Sequence, residues 1–240
     1  TNNSTLVDWE DRRPFDAARD TVMGEDDRGA SVEVMVALAN QTRADPWFTL
    51  PHMASDAYIR AFVTYVRDHL APGLVARFEL SNEVWNWGFT QAHFAQAEAA
   101  RLWGAEAEGG WMQWYGMRAA QMAGIVAEVF GAETGTRALN VFATQAGWQG
   151  LEHYALDTPD YVAAGGTPPR DAPFHIYAIA PYFGGSLASE AMEAQLADWI
   201  AAGEAGFTAA IDWLRSGDGF DTLANLGATI AYHAQVAEDL

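Results

Sequence analysis

Short apolar runs alternate with longer segments of helical periodicity, and this alternation limits the fold more than any other feature of the chain. A strand that is buried on both faces of a parallel sheet has a near-continuous apolar sequence. Alternating strands and helices specify a parallel sheet with right-handed crossovers. The sequence therefore predicts an α/β fold in one domain, residues 1–240. The predicted strands are 32–38, 75–80, 139–144 and 175–182, the predicted helices are 56–70, 89–131 (broken near 109–110), 186–215 and 221–239, and 41–54 and 145–174 are predicted loops.

The predicted strand at 75–80 runs into Asn82-Glu83 and then into Trp85 and Trp87. A carboxylic acid at a strand end can protonate a glycosidic oxygen, and a neighbouring amide can hold a ring hydroxyl. Indole rings can stack on the apolar faces of pyranose rings. An isolated Asn-Glu pair is more often a polar strand end beside core tryptophans, because short motifs match by chance. The residues around this pair favour a carbohydrate site.

Aromatic and amide residues also follow the other predicted strands. In α/β folds, functional groups collect at the carboxyl ends of the strands. Four such ends can be read from the sequence, at residues 40–52, 81–87, 145–148 and 181–185. Together they predict one cleft with the composition of a carbohydrate-binding site.

Three segments resemble the clan of retaining glycoside hydrolases built on the (β/α)8 barrel. They are SNEVWN (81–86), PWFTLPHMASDAYI (46–59) and APYFGG (180–185), and SNEVWN is closest to bacterial proteins labelled cellulose-binding or cellulase-like. The resemblance covers most of residues 30–185 and is most specific at the Asn-Glu pair. In that clan an Asn-Glu pair ends the fourth strand of the barrel.

The resemblance implies a role for each matching residue. Glu83 would be the general acid/base, and Asn82 would bind the hydroxyl next to the anomeric carbon. Tyr182 would hydrogen-bond the nucleophile. The expected substrate-binding set is Asn82, His52, Trp47, Trp85 and Tyr182. The implied function is hydrolysis of a β-linked polysaccharide or oligosaccharide by a retaining, two-carboxylate mechanism.

The resemblance also implies a partial TIM barrel, with about strands 3 to 6 present and two unpaired sheet edges. The nucleophile of the clan ends a seventh strand, which the sequence does not contain. We therefore expect a catalytic domain truncated at both ends, with its nucleophile outside this chain and no glycosidase activity alone. Glu152 and Glu190 are the nearest substitutes by topology, and both are predicted to be surface carboxylates because glutamate is mostly exposed.

Other roles for these residues remain open. Trp47 can cover the barrel rim, His52 can cap the following helix, and Tyr182 can be a buried tyrosine with a satisfied hydroxyl. The alternative function is a non-catalytic carbohydrate-binding protein or pseudo-enzyme. A third possibility is an unrelated α/β protein in which the Asn-Glu-Trp segment only packs.

Composition limits the partners of the chain. Acidic residues number 32 against 13 basic residues, which gives a net charge of −19 and argues against nucleic acid as a partner. We expect no membrane insertion, because no apolar run approaches the ~18 residues of a membrane span. The six histidines show no metal-ligand spacing and there is no phosphate-binding glycine loop, so no metal or cofactor is expected. A polysaccharide substrate implies a secreted or cell-surface location.

Overall fold

The computed structural model describes residues 2–16, 28–216 and 221–240, and it has an α/β fold with a four-stranded parallel sheet. The strands lie in the order β1-β2-β3-β4, so each lies beside its neighbour in sequence. The predicted α/β class is confirmed. In chain order the elements are α1 (Val32–Thr42), β1 (Trp47–Leu50), α2 (Asp56–His69), β2 (Ala76–Leu80), α3 (Thr90–Trp103), α4 (Gly110–Phe130), β3 (Ala138–Thr144), α5 (Leu151–Asp157), α6 (Pro159–Ala163), β4 (Ile176–Ile179), α7 (Glu193–Ala201), α8 (Glu204–Arg215) and α9 (Leu223–Glu238).

One face of the sheet packs on helices α2 and α4. Phe48 of β1 lies opposite Phe78 of β2, with ring centroids 5.7 Å apart. Phe62 of α2 lies 5.5 Å from Phe48, and Phe130 of α4 lies 5.9 Å from Phe78. All four rings are buried. Because side chains alternate between the two faces of a strand, Glu79 lies on the opposite face.

The strands and helices at the centre of the chain agree with the sequence. Strands β2 and β3 and helices α2 and α4 lie within one or two residues of their predicted bounds. Helix α3 begins at Thr90, close to its predicted start, but its predicted end is wrong, because it ends at Trp103, well before the glycine pair at 109–110. The hydroxyl of Ser55 accepts a hydrogen bond from the Tyr58 amide and so caps α2. The possibility that His52 caps this helix is therefore wrong.

The prediction of a strand at residues 32–38 is wrong, because this segment begins helix α1. The side chain of Ser31 accepts a hydrogen bond from the Val34 amide at 3.3 Å, which caps the helix. Val32, Val36 and Ala39 are buried at helical spacing, whereas Leu38 is exposed. A cap and one buried face therefore outweigh the strand preference of the valines.

The first strand lies instead in the segment predicted to be a loop. Strand β1 contains four residues between Pro46 and Pro51, and all four pair in register with β2. Proline cannot donate to a strand ladder, so a run this short between two prolines has a weak strand signal. Tertiary pairing with β2 forms it.

Three other predicted elements also differ from the structure. The single helix predicted at 186–215 is two helices, α7 and α8. Strand β4 ends at Ile179 rather than at residue 182, and Pro181 follows within two residues. The predicted loop after β3 contains helices α5 and α6. Gly150 precedes α5 in a left-handed conformation, and Pro159 begins α6, where its missing amide costs no helical hydrogen bond.

The chain divides into two compact units. The first contains residues 1–144 and 150–178, and the second contains residues 145–149 and 179–240. In the second unit, helices α7 and α8 approach closely where Gly206 faces the carbonyl group of Trp199. The single-domain description of residues 1–240 stays a prediction.

A pair of glycines in α4 tests how closely this helix packs on α5. A β-carbon at Gly116 would lie 1.8 Å from the Ala155 carbonyl oxygen, whereas one at Gly124 meets nothing within 4 Å. Gly116→Ala should lower the free energy of unfolding by about 1–3 kcal/mol because the backbones must separate. Gly124→Ala should raise it by about 0.5–1 kcal/mol because alanine is the better helix former. Urea unfolding measures both, and changes of the same sign would contradict this packing.

Candidate functional site

The chain leaves β2 through a strained turn that presents Asn82 and Glu83. Ser81 and Glu83 have φ angles of 57° and 45°, which lie in the left-handed region. Each such residue costs about 1–3 kcal/mol and persists only where its surroundings enforce it, often at functional sites. Ser81 and Val84 are both buried, and the Ser81 amide donates to the Leu50 carbonyl at 2.7 Å. Two buried anchors therefore hold Asn82 and Glu83 between them.

The Glu83 carboxylate has a fixed orientation. It is half-buried, and its Oε2 accepts a hydrogen bond from Asn86 Nδ2 at 2.9 Å. The Asn86 amide donates to the Glu83 carbonyl at 2.9 Å, and Asn86 Oδ1 accepts from the Gly88 amide at 2.9 Å. Asn86 thus ties the carboxylate to the loop that follows it, a role that sequence reasoning missed.

The side chain of Asn82 belongs to a cluster of amides. Asn82 Nδ2 donates to Asn2 Oδ1 at 3.0 Å, and the Asn82 carbonyl accepts from Gln91 Nε2 at 2.6 Å. Gln91 is fully buried and also donates to Asn2 Oδ1 at 2.8 Å. The side-chain amide of Asn82 thus has Asn2 as its hydrogen-bond partner. The lone Gln91 in the α3 sequence gave no signal of this role.

The two tryptophans after Glu83 differ in exposure. Trp85 is half-buried, whereas Trp87 is 43% exposed and contacts the rings of His93 and Trp111. Trp85 is the residue that the sequence assigns to substrate binding. Of the two, Trp87 offers more indole surface to a ligand.

His52 lies at the carboxyl end of β1 but is buried there. Its side chain is 2% exposed and meets Phe94 edge to face, with ring centroids 5.2 Å apart. Burial lowers the pKa of His52 to about 4, so the imidazole is neutral at physiological pH. It lines a cavity of about 390 Å³ with residues of α3 and α4, among them Arg118. Its role in substrate binding stays a prediction.

Trp47 was predicted to lie in the loop after a strand. This prediction is wrong, because Trp47 begins β1. It pairs in register with Arg77, six residues before Glu83. Its exposed indole donates from Nε1 to Glu79 Oε2 at 2.7 Å. Trp47 therefore lies on the sheet face that carries Glu79 and not at the carboxyl ends of the strands.

Glu79 is a buried acid that sequence reasoning missed. It is 9% exposed, and burial raises its pKa to about 7 despite the hydrogen bond from Trp47, which favours the ionised form. A charged residue between Phe78 and Leu80 fits an alternating strand with one solvent face, so nothing in the sequence indicated its burial or its partner.

Tyr182 belongs to the second compact unit. It is 79% exposed, so the possibility of a buried tyrosine is wrong. With Gln145, Pro181 and Phe183 it lines a cavity of about 410 Å³. Asp221 also lines this cavity, and hydrogen bonds from the side chain and the amide of Ser186 lower the pKa of its carboxyl.

The two substitute nucleophiles have different environments. Glu190 is exposed, as predicted. The prediction that Glu152 is a surface carboxylate is wrong, because its side chain is fully buried. Both of its carboxylate oxygens accept from the Gly150 amide, at 3.2 and 3.1 Å. Glu152 thus accepts the hydrogen bond of the backbone amide in the turn that begins α5.

Two kinds of feature are absent from the part of the chain that the structure describes. Residues 2–16, 28–216 and 221–240 contain no group of three or more histidine and carboxylate side chains placed to hold a metal ion. Within the same ranges, the helices lack the combination of length and apolar character that crossing a membrane requires.

The burial of Glu79 predicts a pH-dependent stability. Its folded pKa of about 7 exceeds the reference value of 4.5, so the folded state binds more protons between these values. The contribution of Glu79 to the free energy of unfolding should be fully present below pH 4.5 and should fall by about 3 kcal/mol as pH rises through 7. Glu79→Gln keeps an acceptor for Trp47 and should remove this pH dependence of the free energy of unfolding, which denaturant unfolding at pH 5 and pH 8 measures.

Glu106→Gln, at an exposed position, is the control and should leave the slope unchanged. An unchanged slope in Glu79→Gln would contradict the assignment.

Comparisons of the chain with protein-family models, curated proteins and solved structures found no match. The geometry of the residues around Glu83 is therefore the basis for assigning a function.

Proposed function

We propose that the chain carries the acid/base half of a glycoside hydrolase site that acts on β-linked polysaccharide. The observation that carries the proposal is the strained end of β2. There a half-buried carboxylate, Glu83, is held by the Asn86 amide. It follows the Asn82 amide cluster in sequence and precedes the exposed indole of Trp87. An acid, a hydroxyl-binding amide and an aromatic face are the groups that glycoside hydrolysis needs.

The sheet supports the same proposal. Strands that follow each other both in sequence and in space, joined by helices, are the repeating unit of a (β/α)8 barrel. We assign β1 to β4 to strands 3 to 6 of such a barrel, which makes β2 the fourth strand. Glu83 then has the position of the acid/base in the clan that its motif resembles. The proposed location of a protein with this substrate is extracellular, secreted or at the cell surface.

The proposed mechanism has two steps. In the first, Glu83 protonates the glycosidic oxygen while a second carboxylate attacks the anomeric carbon, so the bond to the leaving sugar breaks and a glycosyl ester forms. In the second, Glu83 takes a proton from water, whose oxygen attacks the anomeric carbon and releases the second carboxylate. Asn82 would donate to the hydroxyl beside the anomeric carbon. The second carboxylate is assigned to a strand outside this chain.

A carbohydrate-binding protein without catalysis is the second candidate. The partner of the Glu83 carboxylate among the described residues is an amide, Asn86, and not a second acid. Such an arrangement still binds sugar hydroxyls and stacks on pyranose rings. Binding without turnover under every condition would favour this candidate.

An added nucleophile tests the acid role of Glu83 directly. With azide in place of the missing carboxylate, the chain should convert an unactivated phenyl β-cellobioside to the α-glycosyl azide and phenol. Glu83→Gln should lower this rate by about 10²–10⁴-fold, because it removes the general acid that protonates the leaving phenol. Product formation is followed by chromatography and mass spectrometry.

The exposed Glu106→Gln variant is the control and should react at the wild-type rate. Equal rates for Glu83→Gln and the wild type would disprove the acid role. Release of reducing sugar without azide, lost in Glu83→Gln, would keep that role but place the nucleophile inside this chain.

A further inference from the structure

A cavity of about 390 Å³ lies between the loop after β1 and helices α3 and α4. Among the described residues, those of the turn at Asn82 and Glu83 do not line it. A volume of this size suits a small organic ligand. The side chains that the argument uses are His52 from the loop, Phe94 and Leu102 from α3, and Trp114, Met117 and Arg118 from α4.

Arg118 brings to this cavity a positive charge that is only partly paired. Its Nη1 donates to Asp56 Oδ1 at 3.0 Å and to Gln121 Oε1, and its Nη2 donates to the Ala54 carbonyl at 3.2 Å. A guanidinium group carries five N–H donors, so these three hydrogen bonds within the described chain leave two donors for a ligand. Its side chain is only 16% exposed, and a charge shielded from water attracts an anion more strongly.

His52 adds a second hydrogen-bonding group to the same cavity. The residue is 2% exposed, and its buried Nδ1 has no hydrogen-bond partner in the part of the chain that the structure describes. Buried polar groups are normally paired, so an unpaired nitrogen in a residue that lines a cavity indicates a group that a ligand can satisfy. The imidazole is neutral at physiological pH, and one of its two nitrogens therefore carries a proton that it can donate.

The rest of the wall is mostly apolar. The ring of Phe94 meets those of His52 and Trp114 edge to face, with centroids 5.2 and 5.4 Å apart. Met117 and Leu102 line the cavity beside these rings, and Leu102 is 42% exposed, so solvent reaches the cavity. The ligand that fits these walls has an apolar body and one polar end.

Charge determines which polar end fits. Glu98 and Arg101 also line the cavity, but they pair with each other at 2.7 Å and add no net charge. The Asp56 partner of Arg118 is 66% exposed, where water weakens an ion pair. The cavity therefore has a local excess of one positive charge. The net charge of −19 repels a dianion about twice as strongly as a monoanion. A carboxylate also matches the planar donor fork of arginine.

We propose that this cavity binds a monocarboxylic acid with an apolar chain or ring, whose carboxylate accepts hydrogen bonds from Arg118 and His52. The apolar body would lie against Phe94 and Trp114. The inference is independent of the proposed carbohydrate site. It requires binding only and involves no covalent step.

Calorimetric titration of the whole chain with hexanoate and 3-phenylpropionate tests the proposal. At least one of these acids should bind at a single site with a Kd below about 1 mM. The neutral amide of the tighter acid has nearly the same shape and should bind at least about tenfold more weakly, because it loses the charge-assisted hydrogen bonds to Arg118. The phosphate monoester with the same apolar group should bind at least about threefold more weakly at pH 8, because it is a dianion there.

Three variants locate the site. Arg118→Gln should weaken binding of the acid by at least about tenfold. His52→Phe keeps an aromatic ring against Phe94 and should weaken binding by at least about threefold, because it removes a hydrogen bond. Arg60→Gln is the control and should leave the affinity unchanged, since Arg60 pairs with Glu128 at the surface and does not line the cavity. Circular dichroism verifies that each variant is folded, and His52→Phe tests the site alone if Arg118→Gln does not fold.

A further variant separates this cavity from the carbohydrate site. Glu83→Gln should bind the acid with wild-type affinity, and a loss there would place the acid at the carbohydrate site and overturn the proposal. Four other results would also overturn it. These are no saturable binding of either acid, an amide or a phosphate monoester that binds as tightly as the acid, wild-type affinity in a folded Arg118→Gln or His52→Phe variant, and an equal loss in Arg60→Gln.

Discussion

The hydrogen bond from the Ser81 amide to the Leu50 carbonyl is the contact on which the candidate site depends. It pairs the residue after β2 with the last residue of β1, at the point where Ser81 turns into the left-handed region. The parallel ladder ends there because the strand cannot continue through that conformation. Val84 then returns to the core, and the two polar residues between the anchors are only half-buried. Pairing at the sheet end thus determines where the carboxylate lies.

Amide side chains hold the polar groups of this turn in place. Asn86 holds the Glu83 carboxylate, and Gln91 holds the Asn82 carbonyl from the first turns of α3. Groups held in place before a ligand arrives lose little freedom when it binds, which is the general basis of precise sites. The same short loop carries Trp87, so its aromatic surface and the acid belong to one hydrogen-bonded segment.

Much of the fold was readable from the sequence. Helix α2 combines a serine cap with apolar residues at helical spacing, and β2 and β3 are apolar runs beside clear breaks; all three are confirmed within one or two residues. The valine-rich segment at 32–38 was misread because β-branched residues suggest a strand, while the Ser31 cap and one buried face make a helix. Strand β1 was missed because four residues between two prolines have little local signal.

The site was readable only in part. The Asn82-Glu83 pair and its tryptophans stand together in sequence, so their proximity needed no tertiary information. The partners that hold them, Asn2 and Gln91, are distant in sequence, and neither has a periodic pattern. The environment of Glu79 was hidden for the same reason, since burial and the Trp47 indole raise and lower its pKa through contacts across the sheet. Glu152 looked like a surface residue because glutamate usually is one.

A crystal structure of the Glu83→Gln variant soaked with cellohexaose tests the central claim most directly. The account predicts a glycosidic oxygen about 2.6–3.2 Å from the side chain at position 83, as general acid catalysis requires. It also predicts that a neighbouring ring lies on the indole of Trp87. A hexasaccharide bound with every glycosidic oxygen out of reach of position 83 would contradict the account.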